Sequence, residues 1–179
     1  MTSDERARLF LRLARYIGTE VPARFLQRTG EEHPEWGVPH LHSLQEGIYK
    51  PAGSAYALAV KSRSALGAEP EAYPDRIVRR PDGSWTMLYA AKQGALENAV
   101  NRSLFACQRD QLPVLVIATS RRKEAPGGVL YRILGPAFIE RFDSESRRFE
   151  LVGCTPALAT SLAPVASPEE QEEAYLRQR

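Results

Sequence analysis

Five aromatic side chains, Tyr49, Tyr56, Tyr73, Trp85 and Tyr89, lie in or beside one stretch rich in Lys and Arg. Rings of this kind hold an extruded or single-stranded base by stacking, and a neighbouring carboxylate accepts a hydrogen bond from the exocyclic amine of cytosine. Asp75, two residues after Tyr73 with Pro74 between them, supplies such a carboxylate. Taken singly, Tyr56, Trp85 and Tyr89 read as ordinary strand residues packing a barrel. Their clustering with positive charge is what points to a base pocket.

The charge is unevenly spread. Lys50 to Lys123 holds 12 Lys/Arg against 6 Asp/Glu, so this stretch carries +6 in a chain whose net charge is +2. The flanks are mildly acidic, with 6 basic and 7 acidic residues over 1–49 and 4 and 5 over 124–161. A basic middle between acidic flanks is the footprint of a polyanion-binding face. Lys50, Lys61, Arg63, Lys92 and the run Arg121-Arg122-Lys123 are its candidate phosphate contacts. The run falls between two expected strands, where a loop suits a nucleic-acid backbone.

Other chemistries find no support. A common metal-dependent nuclease core needs Asp/Glu two residues before Lys, but Ile48, Ala59, Ala90 and Arg121 precede Lys50, Lys61, Lys92 and Lys123. The three histidines, His33, His40 and His42, all lie early, and read as solvated loop residues. His40-x-His42 lacks further ligands at metal-binding spacing. No nucleophilic triad or phosphate-cradling glycine motif stands out. Cys107 and Cys154 make neither a disulfide framework nor a CxxC pair. The chain is therefore expected to be no enzyme as it stands, to need no cofactor or metal, and to be cytoplasmic.

The elements that must position these residues follow from periodicity. With 179 residues, 43% of them hydrophobic and 26% charged, the composition fits one globular domain with a short appendage. Leu9, Phe10, Leu13, Ala14 and Ile17 form one stripe of a helix over 4–17, which Gly18 stops. That stripe serves either to pack on the barrel or as a homodimer contact. Residues 28–42 read as a loop. Short strands are then expected at 48–49, 55–60, 85–91, 114–119, 129–134, 137–142 and 149–152, with a helix over 96–108. Turn signals such as Pro81-Asp82-Gly83 and Gly135-Pro136 separate them. This is an α+β chain whose strands make a compact barrel or curled sheet, with an N-terminal helix and one or two flanking helices. Residues 156–168 read as a linker, and Ser167-Pro168-Glu169-Glu170 opens a charged final helix.

A series of short motifs runs along the middle of the chain. It begins Gly47-Ile48-Tyr49-x-Pro51-x-Gly53-Ser54-x-Tyr56-Ala57-Leu58, then Tyr73-x-Asp75 and Asp82-Gly83-Ser84-Trp85 with Tyr89. Asn101-x-x-Leu104, Pro113-Val114-x-Val116 and Tyr131-x-Ile133-Leu134-Gly135 follow. Over roughly 44–153 the series resembles the N-terminal SRA-like domain, of the PUA superfamily, that precedes HNH nucleases in modification-dependent restriction systems. The resemblance implies a module that flips a methylated cytosine of double-stranded DNA into a barrel pocket. The candidate base-binding set is Tyr49, Ser54, Tyr56, Tyr73, Asp75, Trp85 and Tyr89. It also implies three parts: 1–43 as N-terminal helix and loop, 44–155 as the DNA-reading barrel, and 156–179 leading to an absent HNH domain. The long glycine-rich signature of typical SRA domains is missing, so the identity of the modified base is not carried over. A PUA-like RNA reader, a protein-interaction module and a nuclease with an unrecognised site stay as alternatives.

Overall fold

The computed structural model describes residues 1–43, 47–62, 77–121 and 128–153. The expected linker and final helix, and Arg63, Tyr73, Asp75, Arg122 and Lys123, lie outside the described residues.

The chain opens with helix α1 (Ser3–Leu13), where the Thr2 hydroxyl accepts from the Glu5 amide and Glu5 accepts in return from the Thr2 amide. This reciprocal cap satisfies two amides that the first turn would leave bare. The apolar stripe of α1 packs on the sheet, with Leu9, Phe10 and Leu13 all buried. A single 3-10 turn, Ala14–Tyr16, continues it to Gly18. Strand β1 (Glu20–Pro22) and two short helices, α2 (Ala23–Gln27) and α3 (Thr29–Glu32), follow. The stretch read as a loop is therefore partly helical. It also delivers Trp36, Val38 and Leu41 to the core. There Tyr16, Phe25 and Trp36 meet edge to face or tilted, while His33 stacks flat on Trp36 at 4.2 Å.

The remaining elements are β2 (Ile48–Tyr49), β3 (Ala59–Ser62), β4 (Ile77–Arg79), β5 (Trp85–Ala90), α4 (Ala99–Arg109), β6 (Val114–Arg121), β7 (Leu130–Asp143) and β8 (Arg148–Gly153). The sheet has eight strands in the order β2-β3-β6-β7-β8-β5-β4, and β1 pairs with the first residues of β7. It curls without closing, and every pairing is antiparallel except β3 with β6. The architecture is thus α+β, a curled sheet with an N-terminal helix and few others. Among the described residues no helix is long and apolar enough to cross a membrane.

Period-two alternation sorts the side chains into two cores. On β6, Val114, Val116 and Ala118 join one cluster, and Leu115 and Ile117 join the other. The first core holds Trp85, Met87 and Tyr89 of β5, with Leu104 and Cys107 of α4. The second lies under α1 and contains Tyr49, Leu58 and Ile133.

Two expected strands, 129–134 and 137–142, are one. Gly135-Pro136 makes no turn but sits in a bulge of β7, where pairing jumps from Val116↔Gly135 to Ile117↔Ile133. Gly135 takes φ +114°, a conformation that a side chain would strain. The strand expected over 55–60 starts only at Ala59, because the Ala57 amide donates to the Ser103 carbonyl in α4 instead of to a neighbouring strand.

Candidate nucleic-acid interface

Residues 50–56 form a turn bound by their own side chains. Gly53 takes φ +72°, the Ser54 hydroxyl accepts from the Tyr56 amide at 3.0 Å, and Lys50 Nζ donates to the Ser54 carbonyl at 2.9 Å. The Tyr56 hydroxyl donates to Asp110 at the end of α4, at 2.7 Å. Asp110 is also gripped twice by Arg109, and these bonds hold its carboxyl down at about 2. Lys50 and Ser54 thus brace this turn from within, and Tyr56 fastens it to the end of α4.

The other candidate aromatics divide between the two cores. Trp85 and Tyr89 point to the same side of β5, both almost fully buried. The hydroxyl of Tyr89 reaches Gly47 so closely that a Cβ there would lie 2.5 Å from it. This contact explains the glycine that opens the Gly-Ile-Tyr motif, since any side chain would displace the tyrosine. Tyr49 belongs to the opposite core, where its ring lies 4.5 Å from that of His40. The structure brings together Gly47, Tyr89 and the Lys61 backbone, but it does not bring Tyr49 beside Trp85 and Tyr89.

Of the candidate phosphate contacts, Lys61 donates to the Ser43 carbonyl at 3.2 Å and stands over the Tyr131 ring. Arg121 ends β6 opposite Leu130. Lys92 is exposed on a loop that Asn101 organises: the fully buried Asn101 side chain accepts from the Lys92 amide and donates to the Lys92 and Ala95 carbonyls. Sequence reading recorded Asn101 without a role. Its one sequence signal is the Asn98-x-x-Asn101 spacing of an N-cap and the third helical residue, whose amide the cap accepts.

His42 departs most from expectation. It is 3% exposed, not a solvated loop residue. Its Nδ1–H donates to the Ser43 carbonyl at 2.6 Å, which leaves Nε2 as an acceptor, and Nε2 is buried with no partner. Tyr131 lies 5.6 Å from its ring. His40 and His42 therefore face different aromatic partners. Among the described residues two more buried polar atoms lack partners, Ser120 Oγ and Arg132 Nε. Tyr131, beside His42, and Arg132 point to opposite faces of β7, and Arg132 keeps an ion pair to Glu20 through Nη2. Arg132 pairs with Ala118 and Tyr131 with Thr119, and Ser120 is the next residue of β6. An unpaired buried polar atom costs about 1–3 kcal/mol, and Nε2 of His42 carries that cost beside Tyr131, over whose ring Lys61 stands.

Burial lowers the His42 pKa, and Lys61 and His40 push the same way against the Ser43 bond. The folded imidazole thus takes its proton at lower pH than the unfolded one, whose pKa is about 6.5. Below that value the unfolded state binds more protons, and stability falls with pH until the folded group also titrates. We expect the urea midpoint to drop between about pH 7.5 and 5.5, and His42→Asn to flatten that drop. An unchanged slope in the variant would assign the drop to other groups.

Comparison with known proteins places the chain as follows. No family model matches it, and no curated protein matches it. Solved structures do. One is the crystal structure of KRYPTONITE in complex with mCHH DNA, H3(1-15) peptide and SAH, with 18% identity over 77% of this chain and 31% of that one, at TM-score 0.45. KRYPTONITE in complex with mCHG DNA and SAH is similar at 15% identity, over 76% and 27% of the two chains, at TM-score 0.38. A third is the SUVH5 SRA–methylated CHH DNA complex, at 17% identity over 68% and 83%, with TM-score 0.37. The chain spans less than a third of the KRYPTONITE chains' length.

Proposed function

We propose that the chain is a DNA-binding module that recognises modified cytosine, 5-methylcytosine or 5-hydroxymethylcytosine, in duplex DNA by flipping it into an aromatic pocket. It serves as the specificity part of a modification-dependent HNH restriction endonuclease. The observation that carries this reading is the buried, unpartnered Nε2 of His42 beside Tyr131, over whose ring Lys61 stands. The ordered motif series from Gly47 to Gly135 supports it independently. In this reading Tyr73 and Tyr89 wall the pocket, Asp75 reads the amino edge of cytosine, and Lys61, Arg63, Lys92 and Arg121-Arg122-Lys123 hold phosphates.

The energetics set what the pocket must do. Flipping costs a few kcal/mol, and stacking at about 1–3 kcal/mol per base offsets it. Burying one methyl contributes only about 0.8 kcal/mol. Discrimination beyond that needs a pocket shaped to the modified base.

Fluorescence polarisation with matched duplexes, plain and carrying either modified base, tests the proposal at about 100 mM salt. The modified duplex is expected to bind at least about tenfold tighter, or ~1.4 kcal/mol. Asp75→Ala is expected to erase that ratio while leaving salt-dependent binding to plain DNA. Equal affinity for all three duplexes in the parent protein would overturn the reading.

A further inference from the structure

A second cleft lies beneath α1, independent of the DNA reading. It holds about 230 Å³ and is lined by Asp4, Arg6, Ala7 and Phe10 of α1, Leu112 and Pro113 before β6, and Phe138 of β7. Ser3, the exposed Asp4, Arg6 and Gln111 are its polar side chains, and the rest of the lining is apolar. Arg6 contributes to the lining although it is 3% exposed.

The guanidinium is unusually placed. Nη1 donates to the carbonyls of Ala57 at 2.8 Å and Pro113 at 2.7 Å. Among the described residues, the ionisable groups that act on it are the Cys107 thiol, which shares a side-chain hydrogen bond with it, and Tyr56. Burial lowers its pKa, but arginine stays charged at any ordinary pH. Buried charges in proteins are normally matched by an opposite charge. Two carbonyls and a neutral thiol orient the group without neutralising it.

We infer that this cleft binds a small apolar monocarboxylate, an aryl or branched alkyl acid. The carboxylate neutralises Arg6, and the body lies against Phe10, Leu112, Pro113 and Phe138. The volume admits only a small body, since pockets for drug-sized ligands begin at about 300 Å³. Asp4 at the mouth repels multiply charged anions more than single ones, which sets this ligand apart from phosphate esters and DNA.

The test is amide-shift titration of the isotope-labelled full chain with sodium hydrocinnamate, beside hydrocinnamyl alcohol as its neutral twin. Saturable shifts are expected at Ala7, Leu112 and Phe138, with the acid binding at least about tenfold tighter than the alcohol. The neutral twin reads the role of Arg6 without removing a side chain that the fold uses. Ala7→Leu narrows the cleft, leaves Arg6 in place, and is expected to abolish the shifts while the rest of the spectrum is kept. Equal affinity for acid and alcohol, absence of saturation, shifts confined to other residues, or undiminished binding by Ala7→Leu would each overturn the inference.

Discussion

Phe149→Ala is expected to remove about 3–5 kcal/mol of folding stability, read as a lower urea midpoint at constant slope. Phe149 of β8 is fully buried, and its ring meets Phe105 of α4 at 4.9 Å and Phe142 of β7 at 4.7 Å. Phe105 and Phe142 close the triangle at 4.9 Å. The three rings fasten the one long helix of the middle segment to two strands, and each aromatic pair adds about 0.5–1.5 kcal/mol beyond its buried area. The cavity left by alanine has little means of collapse, because β8 is paired along its length with β5 on one side and β7 on the other. Phe149→Leu is expected to lose less than half as much. A loss below about 1.5 kcal/mol for the alanine variant would mean that α4 shifts inward to fill the space.

Gly153→Ala is the opposite experiment, adding one carbon where there is none to spare. Gly153 pairs with Trp85 across β5–β8, and the indole lies over its α-carbon. A Cβ there would fall 1.9 Å from a ring carbon of Trp85. The ring is only 7% exposed and cannot turn aside without surrendering its place in the core. Overpacking of this kind costs about 1–3 kcal/mol, and here the upper end is expected. Trp85 emission is expected to shift to the red as the indole is pushed toward water. Pairing the change with Trp85→Leu should recover most of the loss, a coupling that identifies the indole as the obstacle. Full stability with unchanged emission would refute this account.

Elements with an unbroken period could be read from the residues alone. The three- and four-residue spacing in α1, the alternation Trp85-Met87-Tyr89 in β5 and the apolar run of β6 each dictate one conformation. Less was legible where a residue's local preference is overruled by a distant partner. Gly135-Pro136 has the chemistry of a turn, yet β6 and β1 both pair with this strand and hold the glycine in a bulge. Strands β1 and β4 have three residues each, too few for alternation to show, and exist because β7 and β5 are there to pair with. The candidate site divides in the same way. Aromatic residues near positive charge can be listed from sequence, but alternation sends Tyr49 to one core and Trp85 and Tyr89 to the other. The burial of His42 had no signal at all, because it depends on Tyr131, nearly ninety positions later.

Strand β7 touches β1, β6 and β8, yet it begins only at Leu130. A ribosome extruding this chain therefore delivers α1 and β1 more than a hundred residues before the strand that joins them, and β6 just before it. Until then the apolar residues of β6, from Val114 to Ala118, have only β3 beside them, and one long edge of that strand is open to other chains. Contacts of such long sequence separation also form slowly once the chain is complete. Shortened versions ending before residue 130 keep that edge open and are expected to aggregate, so dissection of this domain proceeds better by substitution than by truncation.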